Sequence, residues 1–326
     1  MTNLAIDASL LHEWPMDWIK SWRGWVVVLA VLMPTALVGR PLTVVATTSI
    51  IGDWVAVVGG EKVLLTVLVG PDGDVHHVQP TPRQTVALSQ ADLLFENGLG
   101  LEEPWLDKLY RASGSKAERV VLAQGFTLIA GSCCLHEQGH EHEHAHDTLW
   151  DPHVWMDPMQ AKRMVEAIAR HLQAADPNHA DFYEARAARY GQELEALDEQ
   201  IRNALAAIPP ERRQIITFHN TFNYFARRYQ VIIPATLLES FSTDANEPSA
   251  RRFAGLVKLI RENRIPAIFA ENTTNPALAK QLAREANLPE PVLLYTDALG
   301  APGTPGETYL GMMRWNAEAI ARALQP

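Results

Sequence analysis

Residues 183–208 constrain the fold of this chain most. Tyr183, Ala187, Tyr190, Leu194, Leu197, Ile201, Leu205 and Ile208 recur at intervals of three and four, which makes one apolar stripe on an α-helix. Asp176-Pro177-Asn178 breaks the helical pattern ahead of it, and Pro209-Pro210 ends it. About 27 residues at a rise of ~1.5 Å span roughly 40 Å, enough to run along two domains. Such a helix either packs on one domain or bridges two. A chain of 326 residues suits about two domains, so a bridge is expected.

On both sides of this helix, β-rich runs alternate with helical ones. In the first half the expected strands are 42–48, 63–69, 93–97 and a weak 120–122. The helices between them are 50–58, stopped by Gly59-Gly60, then 82–88 and a short 105–110. Met164, Val165, Ile168 and Leu172 share the face of a further helix. In the second half the expected strands are 214–218, an extended run at 236–239, 267–271 and 292–295. Helices are expected at 222–229, 249–263, 275–286 and 312–324. Strand-helix alternation signals mostly parallel sheets. The expectation is an α/β protein of two similar lobes, 41–178 and 209–326, joined by one long bridging helix within 179–208.

The first forty residues differ in kind. Lys20 and Arg23 precede the apolar run 24–39, which reads as a secretory signal. It is short for a membrane span, and Pro34 interrupts it. An uncleaved signal anchor is the alternative, and Met16 offers a later start. No cysteine follows the run, so the expectation is an exported, periplasmic chain without a lipid anchor. The only cysteines, Cys133 and Cys134, are adjacent and unsuited to a structural disulfide. They are either a metal-capturing pair or plain thiols. Net charge is −10 with no basic-aromatic patch, which argues against nucleic-acid binding.

Metal-binding side chains concentrate near the middle. Five of the twelve histidines, His136, His140, His142, His144 and His146, fall in one short tract. Trp150-Asp151-Pro152-His153-Val154-Trp155-Met156-Asp157-Pro158 follows, with His153 framed by two prolines and by Trp150 and Trp155, which can screen it from water. In open α/β sheets ligands bind beyond the carboxyl ends of strands. His76 and His77 follow the second strand, His219 follows Phe218, and Asp297 follows Tyr295. Three neutral imidazoles and one carboxylate make a tetrahedral set for Zn²⁺. Asp297 could instead cap the turn at Ala298-Leu299-Gly300. His171 and His179 are read as surface residues.

These residues carry a family resemblance. Ala46-Thr47-Thr48-Ser49, Gly70-Pro71-Asp72-Gly73-Asp74-Val75-His76-His77, Ala91-Asp92-Leu93-Leu94-Phe95-Glu96-Asn97-Gly98, Asp151-Pro152-His153, Phe218-His219-Asn220-Thr221-Phe222-Asn223-Tyr224-Phe225, Ile268-Phe269-Ala270-Glu271 and Tyr295-Thr296-Asp297 resemble the ZnuA/TroA type of metal-binding proteins of ABC importers. The resemblance covers about residues 41–326. It implies two lobes with a metal between them, held by His76, His153, His219 and Asp297, and a monomer that delivers the metal to an inner-membrane permease. Manganese-type members often carry Glu where this chain has His219, so zinc is expected and manganese or iron is the alternative. Val75 stands where the family usually has Pro. The His-rich tract is expected to be an accessory zinc attractor or a spacer. The rival readings are a zinc hydrolase, with Glu271 or Glu239 as its base, and an adhesin or metal buffer without a transporter. A closed four-ligand site has no position for an activated water, so no enzyme is expected.

Overall fold

β1 (Leu42–Thr48) is buried from Val44 onward, as a strand covered on both faces must be. It pairs in parallel with β2 (Val63–Val69) and β3 (Leu93–Glu96), and β3 pairs with β4 (Glu118–Val121). The order is β2-β1-β3-β4. Parallel neighbours need crossovers, supplied by α1 (Ser49–Gly59), α2 (Pro82–Ser89) and α3 (Glu103–Ser113). Thr48 ends β1 and caps α1 at once, its hydroxyl accepting from the Ile51 N–H. The computed structural model describes residues 40–130, 150–243 and 248–325. The expected signal segment, Cys133, Cys134 and the five histidines at 136–146 lie outside those residues.

Two helices lead to the second half, α4 (Pro158–Ala175) and α5 (Ala180–Ala206). There β5 (Gln214–Thr217) pairs with β6 (Ile232–Thr236), and β7 (Phe269–Glu271) pairs with β8 (Val292–Leu294), all in parallel. A parallel bridge between Ile216 and Ile268 joins the pairs. The resulting order, β6-β5-β7-β8, repeats the second-first-third-fourth order of the first lobe. Its helices are α6 (Asn223–Tyr229), α7 (Ala250–Asn263) and α8 (Ala277–Ala286), and α9 (Tyr309–Leu324) closes the chain.

The long helix α5 runs for 27 residues and buries Tyr183, Ala187, Tyr190, Leu194, Leu197, Ile201 and Leu205. It packs on α1 and α4 of the first lobe and on α6 and α9 of the second. Pro41–Pro326 therefore hold together as one compact unit. Among the described residues, no helix is long and apolar enough to cross a membrane.

One strand differs from expectation. The extended run expected at 236–239 lies earlier, as β6 from Ile232 to Thr236. Pro234 has no N–H to give a ladder, yet β6 is an edge strand, and its outer row needs no partner.

Candidate metal centre

The four strand-end residues converge. One ligand atom from each of His76, His153, His219 and Asp297 lies within 4.8 Å of all the others. His76 Nε2 is 3.6 Å from Asp297 Oδ2, His153 Nε2 is 3.5 Å from Oδ1, and His219 Nε2 is 3.3 Å from Oδ2. The Nε2 atoms of His153 and His219 are 3.3 Å apart. His76 Nε2 and Asp297 Oδ2 are buried without a hydrogen-bond partner. Buried polar atoms are rarely left unpaired, and a cation is one resolution. Among the described residues this is the single grouping of three or more metal-binding side chains. His171 and His179 lie apart, bonded to Glu118 and Asp176.

Each ligand is positioned differently. His219 follows β5 across Phe218 alone, and Asp297 follows β8 after Tyr295 and Thr296. His76 sits in the loop between β2 and α2. Its N–H donates to Asp74 Oδ1 at 2.9 Å, while the Trp105 indole N–H donates to the Val75 carbonyl at 2.9 Å. His153 precedes a 3₁₀ turn, Val154–Met156, ahead of α4.

Two of the three imidazoles are pinned by buried carboxylates. His153 Nδ1 lies 2.8 Å from Asp151 Oδ1, and His219 Nδ1 lies 2.6 Å from Glu271 Oε2. A carboxylate accepts, so Nδ1 carries a proton in both rings and Nε2 is the atom turned to the site. Asp151 lies two residues before His153, and its Oδ1 also accepts the His153 N–H at 2.9 Å. That local signal was present in the Asp-Pro-His triplet. Glu271 ends β7, the strand beside β5, so only the sheet order reveals it as the partner of His219. In the hydrolase reading it was a base, but its carboxylate is committed to His219. Glu239 is exposed and paired with Arg252.

Aromatic rings flank His153. Trp155 is buried, with its ring 5.2 Å from that of His153, and Phe241 lies 6.2 Å away. Trp150 is 43% exposed and pairs with Ala130 across an antiparallel bridge.

Charge is concentrated here. Burial pushes the His219 imidazole down, but the negative charges of Glu271 and Asp297 outweigh it and hold the group well above its usual value. Burial likewise raises Asp297, and the facing His219 overcomes it and holds the carboxyl well below its usual range. A cavity of about 320 Å³ adjoins the site, lined by Asp74 beside His76 and Phe218 beside His219, with Leu238, Thr243 and Thr273.

Two α/β lobes with a buried His₃Asp cluster between them define a metal-binding protein. Residues 44–323 match the family model described as "Zinc-uptake complex component A periplasmic", ZnuA, and the chain belongs to that family. It is a family of substrate-binding components of ABC transporters, not of enzymes. The chain is 31% identical over 286 residues to the metal ABC transporter substrate-binding lipoprotein FimA of Streptococcus parasanguinis, covering 87% of this chain and 89% of FimA. It is 30% identical, with the same coverage, to the manganese ABC transporter substrate-binding lipoprotein PsaA of Streptococcus pneumoniae. Its fold superposes on the periplasmic zinc-binding protein TroA of Treponema pallidum with a TM-score of 0.74 and 28% identity, over 87% of this chain and 99% of TroA.

These relatives correct one expectation. FimA and PsaA are named lipoproteins, which overturns the reading of this chain as exported without a lipid anchor. That reading rested on the cysteine missing after the apolar run 24–39. An apolar run does not determine how a chain is held at a membrane surface.

Proposed function

We propose that this chain captures Zn²⁺ between its lobes and delivers it to the permease of an ABC importer in the inner membrane. His76, His153, His219 and Asp297 are the four ligands. The observation that carries the zinc reading is the donor set, three imidazole nitrogens and one carboxylate whose ligand atoms lie within 4.8 Å of one another, the number and kind of donors a tetrahedral Zn²⁺ takes. Three nitrogen donors also favour zinc over manganese, which prefers oxygen.

The working division is a lobe at 41–178, a linking helix at 179–208 and a lobe at 209–326, acting as a monomer. His136, His140, His142, His144 and His146 form an accessory tract that raises the local zinc concentration. A second reading, a manganese carrier of the same fold, draws on the name of PsaA.

Mass-spectrometric metal analysis after offering equimolar Zn²⁺ and Mn²⁺ separates the two. It is run on residues 41–326 and on the same chain lacking 136–146. One tightly held zinc in both is expected. Manganese in both would replace zinc as the cargo. Loss of all tight metal with the tract would mean that the ligands lie elsewhere.

A further inference from the structure

His153 comes from the first half of the sequence, but a helix of the second half holds it in place. Asp151 is the hub. Its Oδ1 accepts both the N–H and the Nδ1–H of His153. Its Oδ2 accepts from Asn223 Nδ2 at 3.0 Å, and its carbonyl accepts from the Tyr224 hydroxyl at 3.0 Å. The same hydroxyl accepts the Ile129 N–H at 3.2 Å, while the Asp151 N–H donates to the Ile129 carbonyl at 2.9 Å. The tyrosine oxygen thus grips the chain on both sides of residues 131–149, where Ala130 and Trp150 are bridged.

Asn223 and Tyr224 open α6, which begins just after His219. The same helix takes two further holds. Arg227 donates to the Thr127 carbonyl at 3.4 Å and lies over the Tyr224 ring, and Arg228 pairs at 3.3 Å with Asp157, the N-cap of α4. Tyr224 and Asp151 are fully buried, and Asn223 is half-buried.

We propose that Asn223 and Tyr224 are positioning residues for the ligand His153: they fix the Asp151 carboxylate, and through it the ring whose Nε2 faces the metal. The first turn of α6 thereby presets His153 against His219, so that two of the four donors stand in register before metal arrives. Asn223 acts on the carboxylate itself. Tyr224 acts on the backbone that carries it and clamps the chain where it enters the site. This rests on the reading of His153 as a metal ligand.

The test uses the full chain with Asn223→Ala and Tyr224→Phe, which keeps the ring and removes only the hydroxyl. Zn²⁺ affinity is measured by competition with a chromogenic chelator, and Co²⁺ is bound for its ligand-field absorption spectrum. Loss of an outer partner of a metal-bound histidine weakens binding about 10–100-fold. The expected result is a Kd for Zn²⁺ raised roughly tenfold or more by Asn223→Ala, and somewhat less by Tyr224→Phe, with the Co²⁺ bands displaced in both. A lowered melting temperature with an unchanged Co²⁺ spectrum and Kd would mean a merely structural role and overturn the proposal. Should Tyr224→Phe fail to fold, the half-buried Asn223→Ala decides. An unmodified chain that takes up neither metal would sink the ligand reading itself. An unmodified chain that binds both, beside variants that match it, would sink the positioning role alone.

Discussion

The two lobes repeat one strand order, yet they deliver their ligands in different ways. In the second lobe, His219 and Asp297 stand directly past β5 and β8, so the sheet itself positions them. In the first lobe, His76 rides in the loop after β2, and His153 stands beyond the long connection that follows β4. Loop-borne ligands need fastening, and the two are fastened unequally. His153 is fully buried, pinned by Asp151 and gripped by α6. The side chain of His76 keeps 7% exposure, and what holds its loop to the second lobe is a set of hydrogen bonds that the Asp72 and Asp74 carboxylates accept from Thr243, Asn272 and Ala301. Equal topology therefore does not give equal rigidity. Three donors behave as one preset group, and His76 completes it from the side of the cavity.

The largest effect should separate these two classes. His219→Ala removes a pinned donor and leaves Glu271 buried without its partner. It should abolish tight Zn²⁺ binding, a loss of more than about 100-fold, since loss of an outer partner alone costs 10–100-fold. His76→Ala removes a donor with no carboxylate behind it and should be about tenfold milder by the same measure. Chelator competition on both variants measures the gap. Equal losses would erase the distinction between preset and completing ligands.

Next in size is the pin itself. Glu271→Gln keeps an acceptor for His219 Nδ1–H but removes the charge. Zn²⁺ affinity should fall about 10–100-fold with the fold intact by circular dichroism. Unchanged affinity would mean that Glu271 serves only to satisfy a buried imidazole.

A pH dependence follows from the same charges. In the metal-free protein His219 is held well above its ordinary 6.5 by Glu271 and Asp297, against its burial. Its contribution to stability is complete below about 6.5 and is lost as pH rises through the raised value. Asp297, held below its ordinary 3.8, contributes above that value, and its share is lost as pH falls through the lowered one. Metal needs the neutral imidazole, so binding must expel the His219 proton. Zn²⁺ affinity should therefore already decline as pH drops through the raised His219 value, higher than the value near 6 that an ordinary imidazole suggests. The rise in melting temperature on adding Zn²⁺ should be larger at pH 8 than at pH 5.5. An increment independent of pH would place the exchanged proton elsewhere.

Much of this was legible in the sequence, for a physical reason. Parallel strands announce themselves by continuous apolar runs, and their carboxyl ends are where ligands gather, so the loop of His76 and His77, His219 and Asp297 stood out by position and His153 by its framed loop, while the choice of His76 over His77 and of Asp297 as a ligand came from the family resemblance. The stripe from Tyr183 to Leu205 gave the bridging helix. What stayed hidden depends on neighbours in space. Glu271 partners His219 only because β7 lies beside β5, and Asn223 and Tyr224 matter only because α6 docks on a segment distant in sequence. β6 starts at Ile232, ahead of the expected run, and carries Pro234 because an edge strand tolerates it.

The smallest effect sharpens the comparison where the lobes meet. The Thr243 hydroxyl of the second lobe donates to Asp74 Oδ2 at 2.7 Å, while the other oxygen of Asp74 accepts the His76 N–H. Both Asp74 and Thr243 line the cavity beside the site. A partly buried hydrogen bond of this kind contributes about 1 kcal/mol. If His76 is the ligand that detaches first, the bond holds back its loop, and its loss should speed metal release by about fivefold, the rate equivalent of that energy. Thr243→Val keeps the shape and removes the bond. Stopped-flow mixing of the Zn²⁺-loaded variant with excess chelator measures the dissociation rate. The variant touches no ligand, so the Co²⁺ spectrum should stay unchanged while release quickens. An unaltered rate would mean that the Asp74 side is not where the site opens, and that the pinned side must give way instead.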